Sequence, residues 1–273
     1  MRKPTKRAYF SKAASMQFMS CSQFKDFQKC EAAALAEIQG EYVSPKSTAL
    51  LVGSYVDSYF EGTLGDFKEE NPEIFKKDGS LKAEYLQAED IIRRIERDKL
   101  FSLLLSGRKQ IIRVGEIAGV PFKIKMDCLL TEKRCREIAR LFPETEPIFE
   151  FAEGAIVDLK VMRDFAPIWS EEYGAKVSFL KAWGYDLQGA IYQRIEGNFL
   201  PFILVAATKE SEPDIGAFTI PQVELNAKIQ EVETFAPRFA AIKRGEIEPH
   251  RCESCDWCKR TKKLTKIIDY REV

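Results

Sequence analysis

The sequence predicts an α/β domain on three observations. The N-terminal third carries apolar residues at helical spacing, residues 110–130 change to the alternation of strands, and an amphipathic helix then separates two further strand-like runs. With 273 residues the chain is long enough to bury one large core, so a single elaborated domain over 1–273 is expected.

Residues 22–39 read as one helix: Phe24, Phe27, Ala34, Leu35 and Ile38 recur near helical spacing, and Gly40 stops it. A second helix covers 47–61, where Gly53 and Ser54 among apolar residues predict close packing against another element. A longer amphipathic helix over 82–106 carries Leu86, Ile91, Ile95 and Leu103 and closes on Gly107. These helices occupy 22–106.

Around Gly119 the pattern is a β-hairpin, with Ile111, Ile112, Val114 and Ile117 on one arm and Val120, Phe122, Ile124 and Met126 on the other. The charged stretch 131–150, holding Pro143 and Pro147, reads as a surface excursion. A third strand over 155–162, a helix over 177–196 ended by Gly197, and a buried strand over 199–208 complete a β-β-β-α-β core at about 108–210. A short strand over 210–220 precedes a helix over 222–244, bent at Pro237, and a Cys-rich tail fills out 222–273.

The 42 basic and 42 acidic residues balance, so no global field advertises a polyanion partner, although Lys259-Arg260-Thr261-Lys262-Lys263 is a local basic cluster. The longest apolar runs, such as 199–207, fall far short of the roughly 20 residues of a membrane helix, and the N-terminus lacks a signal-peptide stretch. A cytoplasmic protein with no membrane partner is expected. Seven cysteines there speak for metal binding or burial rather than disulfides.

The chemistry concentrates in an ordered series. Asp127 ends Pro121-Phe-Lys-Ile-Lys-Met-Asp, Asp158 sits in Ile156-Val-Asp-Leu-Lys, and Gln188 and Tyr192 lie four apart on a helical face that also carries Tyr185. Two carboxylates and the Leu159 carbonyl suit a hard cation, Mg2+ or Mn2+, and such an ion suits phosphodiester hydrolysis. Lys160 shares the strand face of Asp158, where it can stabilise an oxyanion or orient water. Taken alone, Asp158 and Lys160 also describe an ordinary ion pair, and Gln188 with Tyr192 an amphipathic helix; the order of the whole series favours a nuclease centre.

That order resembles the PD-(D/E)xK nuclease superfamily, in particular its phage and prophage exonuclease VIII (RecE-type) and RecB-like branch, over roughly residues 22–258. The resemblance implies a restriction-endonuclease-like core, a mixed central sheet flanked by helices, with N-terminal helical and C-terminal Cys-rich additions. It implies Asp127 and Asp158 as metal ligands, Lys160 as the catalytic lysine, and Gln188, Tyr192 and Tyr185 toward the substrate. It also implies a metal-dependent deoxyribonuclease resecting double-stranded DNA ends for recombination, a single-strand annealing recombinase as partner, and a ring-forming homo-oligomer. The family commonly has Gly-x3-His on an early helix; here the stretch reads Gly53-Ser-Tyr-Val-Asp57. Asp57 can replace the imidazole as an oxygen ligand, or it is a capping aspartate.

Cys252-x2-Cys255-x2-Cys258 offers three thiolates in seven residues. RecB-like nucleases with a cluster place a fourth cysteine on the N-terminal helix, which implies Cys30; His250 is a substitute. The spacing is nearer to ferredoxin-type ligation, so a [4Fe-4S] cluster is preferred over Zn2+. Cys21, Cys128 and Cys135 read as reduced thiols. The alternative to the nuclease is a catalytically silent DNA-binding or iron-sulfur-stabilised module of the same fold.

Overall fold

The computed structural model describes residues 3–43, 48–171, 173–197, 199–267 and 269–272. α1 (Lys12–Gln17) starts after Ser11, whose hydroxyl accepts the Ala14 N–H. The helix expected over 22–39 is two, α2 (Cys21–Lys29) and α3 (Glu31–Gln39), with Cys30 extended between them at φ −162° and ψ 108°. Both halves feed Phe24, Phe27, Ala34 and Ile38 into one core, so apolar periodicity runs through the break and hides it.

α4 (Thr48–Glu61) lies where 47–61 was expected, Ser47 itself falling outside the described residues, and α5 (Leu64–Glu70) follows. The long helix over 82–106 divides into α6 (Ala83–Arg97) and α7 (Lys99–Leu104). Asp98 turns extended there, and its carboxylate caps α7 by accepting the Phe101 N–H at 2.8 Å.

β1 (Arg108–Ile117) and β2 (Val120–Thr131) form the hairpin over the two-residue turn Ala118-Gly119, both at positive φ (48° and 76°). Residues 131–150 are not a surface excursion. They fold into α8 (Glu132–Leu141) and α9 (Glu146–Phe149), anchored by buried Cys135, Ile138 and Phe149, while the charges that suggested a loop occupy the outer side.

After β3 (Gly154–Met162), a small hairpin of β4 (Ile168–Ser170) and β5 (Ala175–Val177) takes up the start of the helix expected over 177–196. The helical part is α10 (Phe179–Ala182) and α11 (Tyr185–Glu196), separated at Gly184 with φ 62°. β6 (Phe202–Thr208), β7 (Ile215–Thr219), α12 (Gln222–Lys243) with Pro237 inside it, and α13 (Asp256–Arg260) complete the chain.

The main sheet has the order β1-β2-β3-β6-β7 and is mixed: β3 and β6 run parallel, joined through α11, and the other pairs are antiparallel. β6 shows why it is central. Phe202, Leu204 and Ala206 enter one core with α2, α11 and α12, whereas Ile203, Val205 and Ala207 enter a second with α4, α6 and α8. A sheet covered on both faces leaves its polar chemistry to a place where strands part.

Candidate active site

β2 and β3 part in the middle of the sheet. Their ladder runs from Thr131↔Gly154 to Cys128↔Val157 and ends, so Asp127 and Asp158 stand on the two arms of a fork. Local backbone aims them. Phe122, Ile124 and Met126 pack on the α11 face but Cys128 and Leu130 on the other, so the alternation of β2 slips by one residue at Asp127. Opposite that slip the β1–β2 register has no pair at Gln110, which sits at φ 54°. Such an irregularity redirects a side chain. The Asp127 carboxylate thereby reaches β3 and accepts the Leu159 N–H at 3.1 Å, an amide the ended ladder leaves without a β2 partner.

Asp158 is buried, at 1% exposure, and its two oxygens differ. Oδ1 accepts a hydrogen bond from Gln188 Nε2 at 2.6 Å. Oδ2 lies 2.5 Å from Lys160 Nζ in an ion pair. The same ammonium donates to the Leu159 carbonyl at 3.2 Å. A positive charge therefore sits where the Asp158 carboxylate and the Leu159 carbonyl converge.

α4 supplies the third carboxylate. Asp57 lines the same cleft as Asp127, Asp158 and Lys160, and Glu61, one helical turn further, lines it too and is held by Gln110 Nε2. The sequence signal of Glu61 is the acidic pair it makes with Asp57 at i and i+4 on one helix. Burial, against the opposing pull of Lys160, and then Asp158 and Glu61 push Asp57 up to about 7. Burial and the Asp158 charge raise Asp127 well above the usual carboxylate range. Burial works to lower Lys160, but Asp158, Asp127 and Asp57 outweigh it and raise it, so the side chain is a fixed cation.

This donor set fits a hard divalent ion. The Asp158 charge raises the proton affinity of Asp57 and Asp127, the buried Asp158 Oδ2 is met by the Lys160 ammonium, and a backbone carbonyl faces the same point. Asp57, Asp127, Asp158 and the Leu159 carbonyl are the residues that would hold it. The cleft around them has a volume of about 730 Å3, and Lys25, Lys125, Ser20, Ser22 and Ser58 line it as well.

The helix residues have other commitments. Gln188 is spent on Asp158. Tyr192 donates its hydroxyl to the Lys125 carbonyl at 3.1 Å and sets its ring against Phe202. Tyr185 donates to Met162 Sδ at 3.5 Å, and Lys25 Nζ and Lys160 Nζ lie 5.4 and 5.7 Å from the centre of its ring. Gln188 and Tyr192 line the cleft.

Cys30, Cys252, Cys255 and Cys258 come together away from the cleft and form a group able to hold a metal ion. Hydrogen bonds from Ser254 and Cys255 lower the Cys252 thiol to about 5. Cys21, Cys128 and Cys135 are buried free thiols outside this group. Among the described residues no helix is long and apolar enough to cross a membrane.

A mixed sheet forking at two aspartates, with a lysine two residues past the second, defines the PDDEXK-like class of nuclease fold. The chain belongs to the family described as "PDDEXK-like domain of unknown function (DUF3799)", which matches residues 20–136 and 149–261. Among solved structures it is similar to the "Putative exonuclease" from Eubacterium rectale, with 41% identity, a TM-score of 0.86, and coverage of 100% of this chain and 98% of that one. No curated protein matches it.

Proposed function

We propose that this protein is a metal-dependent exodeoxyribonuclease of the exonuclease VIII-like branch that degrades linear duplex DNA from its ends. The observation that carries the reading is the meeting of Asp57, Asp127, Asp158 and Lys160 at the fork of β2 and β3. Similarity to a protein described as a "Putative exonuclease" supports the end-directed form.

Mg2+ or Mn2+ bound there supplies charge to the scissile phosphate and acidifies a water. Asp127 and Asp158 would hold that ion, and Gln188 keeps the Asp158 carboxylate oriented for it. Lys160, beside Asp158, stabilises negative charge on the phosphoryl oxygens. Lys25 and Lys125, on the cleft wall, draw the DNA backbone in. A cytoplasmic setting, recombination beside a single-strand annealing recombinase, and a ring of copies around the duplex belong to the same proposal and rest on the family resemblance.

Digestion of end-labelled linear duplex, compared with covalently closed circles in Mg2+, tests it. Release of label from linear DNA with circles intact is expected. Cleaved circles mean an endonuclease, and two intact substrates mean a silent DNA-binding module.

A further inference from the structure

Among the described residues, the cysteine set is the group of ligand atoms outside the acidic cleft that could hold a metal ion. Its four sulfurs all lie within 4.8 Å of one another, with Cys30 Sγ 3.6 Å and Cys252 Sγ 4.0 Å from Cys258 Sγ. Those spacings discriminate between cofactors. Four thiolates on one tetrahedral zinc, each bonded at about 2.3 Å, stand about 3.8 Å apart. In a [4Fe-4S] cluster every cysteine binds a different iron of the cube, which holds the ligand sulfurs roughly 6 Å apart.

We infer that Cys30, Cys252, Cys255 and Cys258 bind a single tetrahedral zinc ion, a structural staple, in place of the iron-sulfur cluster that their sequence spacing suggests. Backbone brings the two parts of the set together. Cys30 is presented by the break between α2 and α3, and the Ala32 N–H beyond it donates to the His250 carbonyl at 3.1 Å. Glu31 takes two hydrogen bonds from Arg238, at 2.7 and 2.8 Å, and one from the His250 N–H at 2.7 Å, so the N-terminal helix and the cysteine loop share one anchor.

Within the loop, the Cys255 N–H donates to Cys252 Sγ at 3.3 Å and the Cys258 N–H to Cys255 Sγ at 3.4 Å, while Arg251 grips the Cys258 carbonyl at 2.7 Å. Amide hydrogen bonds to sulfur favour thiolates and orient them toward one point. Cys258 and Cys30 are buried and packed by Ala32, Ala33 and Trp257, whereas Cys252 and Cys255 are partly exposed, which gives the ion an entry path. His250 meets the site through its backbone groups, so the set is four sulfurs without imidazole.

None of the four cysteines lines the acidic cleft, so the inference stands apart from the nuclease reading. The test is elemental analysis and absorbance of the full chain purified without oxygen, followed by exchange with Co2+. One zinc per chain, no inorganic sulfide, no visible absorbance, and intense tetrahedral thiolate bands with Co2+ are expected. Cys252→Ser, at an exposed ligand, lowers Zn2+ affinity at least tenfold while Mn2+ titration of the acidic cleft is unchanged. Iron and sulfide at four each per chain, or four free thiols under saturating Zn2+, overturns the inference.

Discussion

Gln188 Nε2 donates to Asp158 Oδ1 over 2.6 Å, a bond from α11 to β3 that fixes the rotation of a carboxylate buried to 1% exposure. A ligand oriented this way meets an ion without first being ordered. The helix is close enough for it because Gly189 follows. A Cβ on Gly189 would come within 2.8 Å of the Phe202 ring on β6.

Gln188→Ala leaves one buried oxygen of Asp158 unpaired and its ring of ligands less ordered. Mn2+ affinity and turnover each fall about 10- to 100-fold with the fold retained, as for other residues that orient a metal ligand. Calorimetric titration with Mn2+, beside turnover, checks this; unchanged affinity would assign Gln188 to substrate contact.

Glu61→Gln removes the carboxylate that shares the cleft with Asp57 and accepts from Gln110. Divalent-ion affinity drops by about tenfold, and Asp57→Asn drops it further, because Asp57 lies close enough to feel the Asp158 charge. The same titration reads both variants.

Two glycines give opposite results on alanine substitution. Gly189→Ala forces α11 away from Phe202 and costs about 1–3 kcal/mol. Gly53→Ala, in α4 with open space around its Cβ, gains about 0.5–1 kcal/mol. Denaturant unfolding of each variant measures the difference.

Lys243 is buried, its ammonium donating to the Phe18 carbonyl at 2.8 Å and to Gln23 Oε1 at 3.2 Å. Burial, with Lys123 adding to it, pushes it from the ordinary 10.5 down to about 7. Between those values the unfolded chain holds a proton that the folded chain has released. Stability contributed by this group therefore rises with pH from about 7 toward 10.5, by up to about 1.4 kcal/mol per pH unit, and is absent below about 7. Lys243→Met flattens that slope in a series of unfolding curves.

The sequence made the sheet legible because both faces of it are buried: the apolar alternation of Phe122, Ile124 and Met126 and the run 202–208 have no competing explanation. Helix breaks were illegible for the same reason. Cys30 and Asp98 interrupt helices whose flanking halves serve one core, so periodicity carries across them. α8 was hidden by charge, since only Cys135 and Ile138 of its ten residues are buried. At the site, Asp127, Asp158 and Lys160 could be singled out by order, but the slip in β2 that turns Asp127 toward β3 depends on pairing with β1 and leaves no local mark. Glu61 was overlooked because an acidic residue at a helix end is ordinarily a solvated one.

Lys160 occupies the point between Asp158 Oδ2 and the Leu159 carbonyl as a cation that competes for ion ligands. The most direct test of the nuclease centre is Lys160→Ala measured for Mn2+ binding and for hydrolysis of linear duplex in one preparation. Mn2+ binding as tight as in the unaltered protein or tighter, with turnover lower by about 10²- to 10³-fold, is the predicted result. Digestion of linear duplex at an undiminished rate would contradict it.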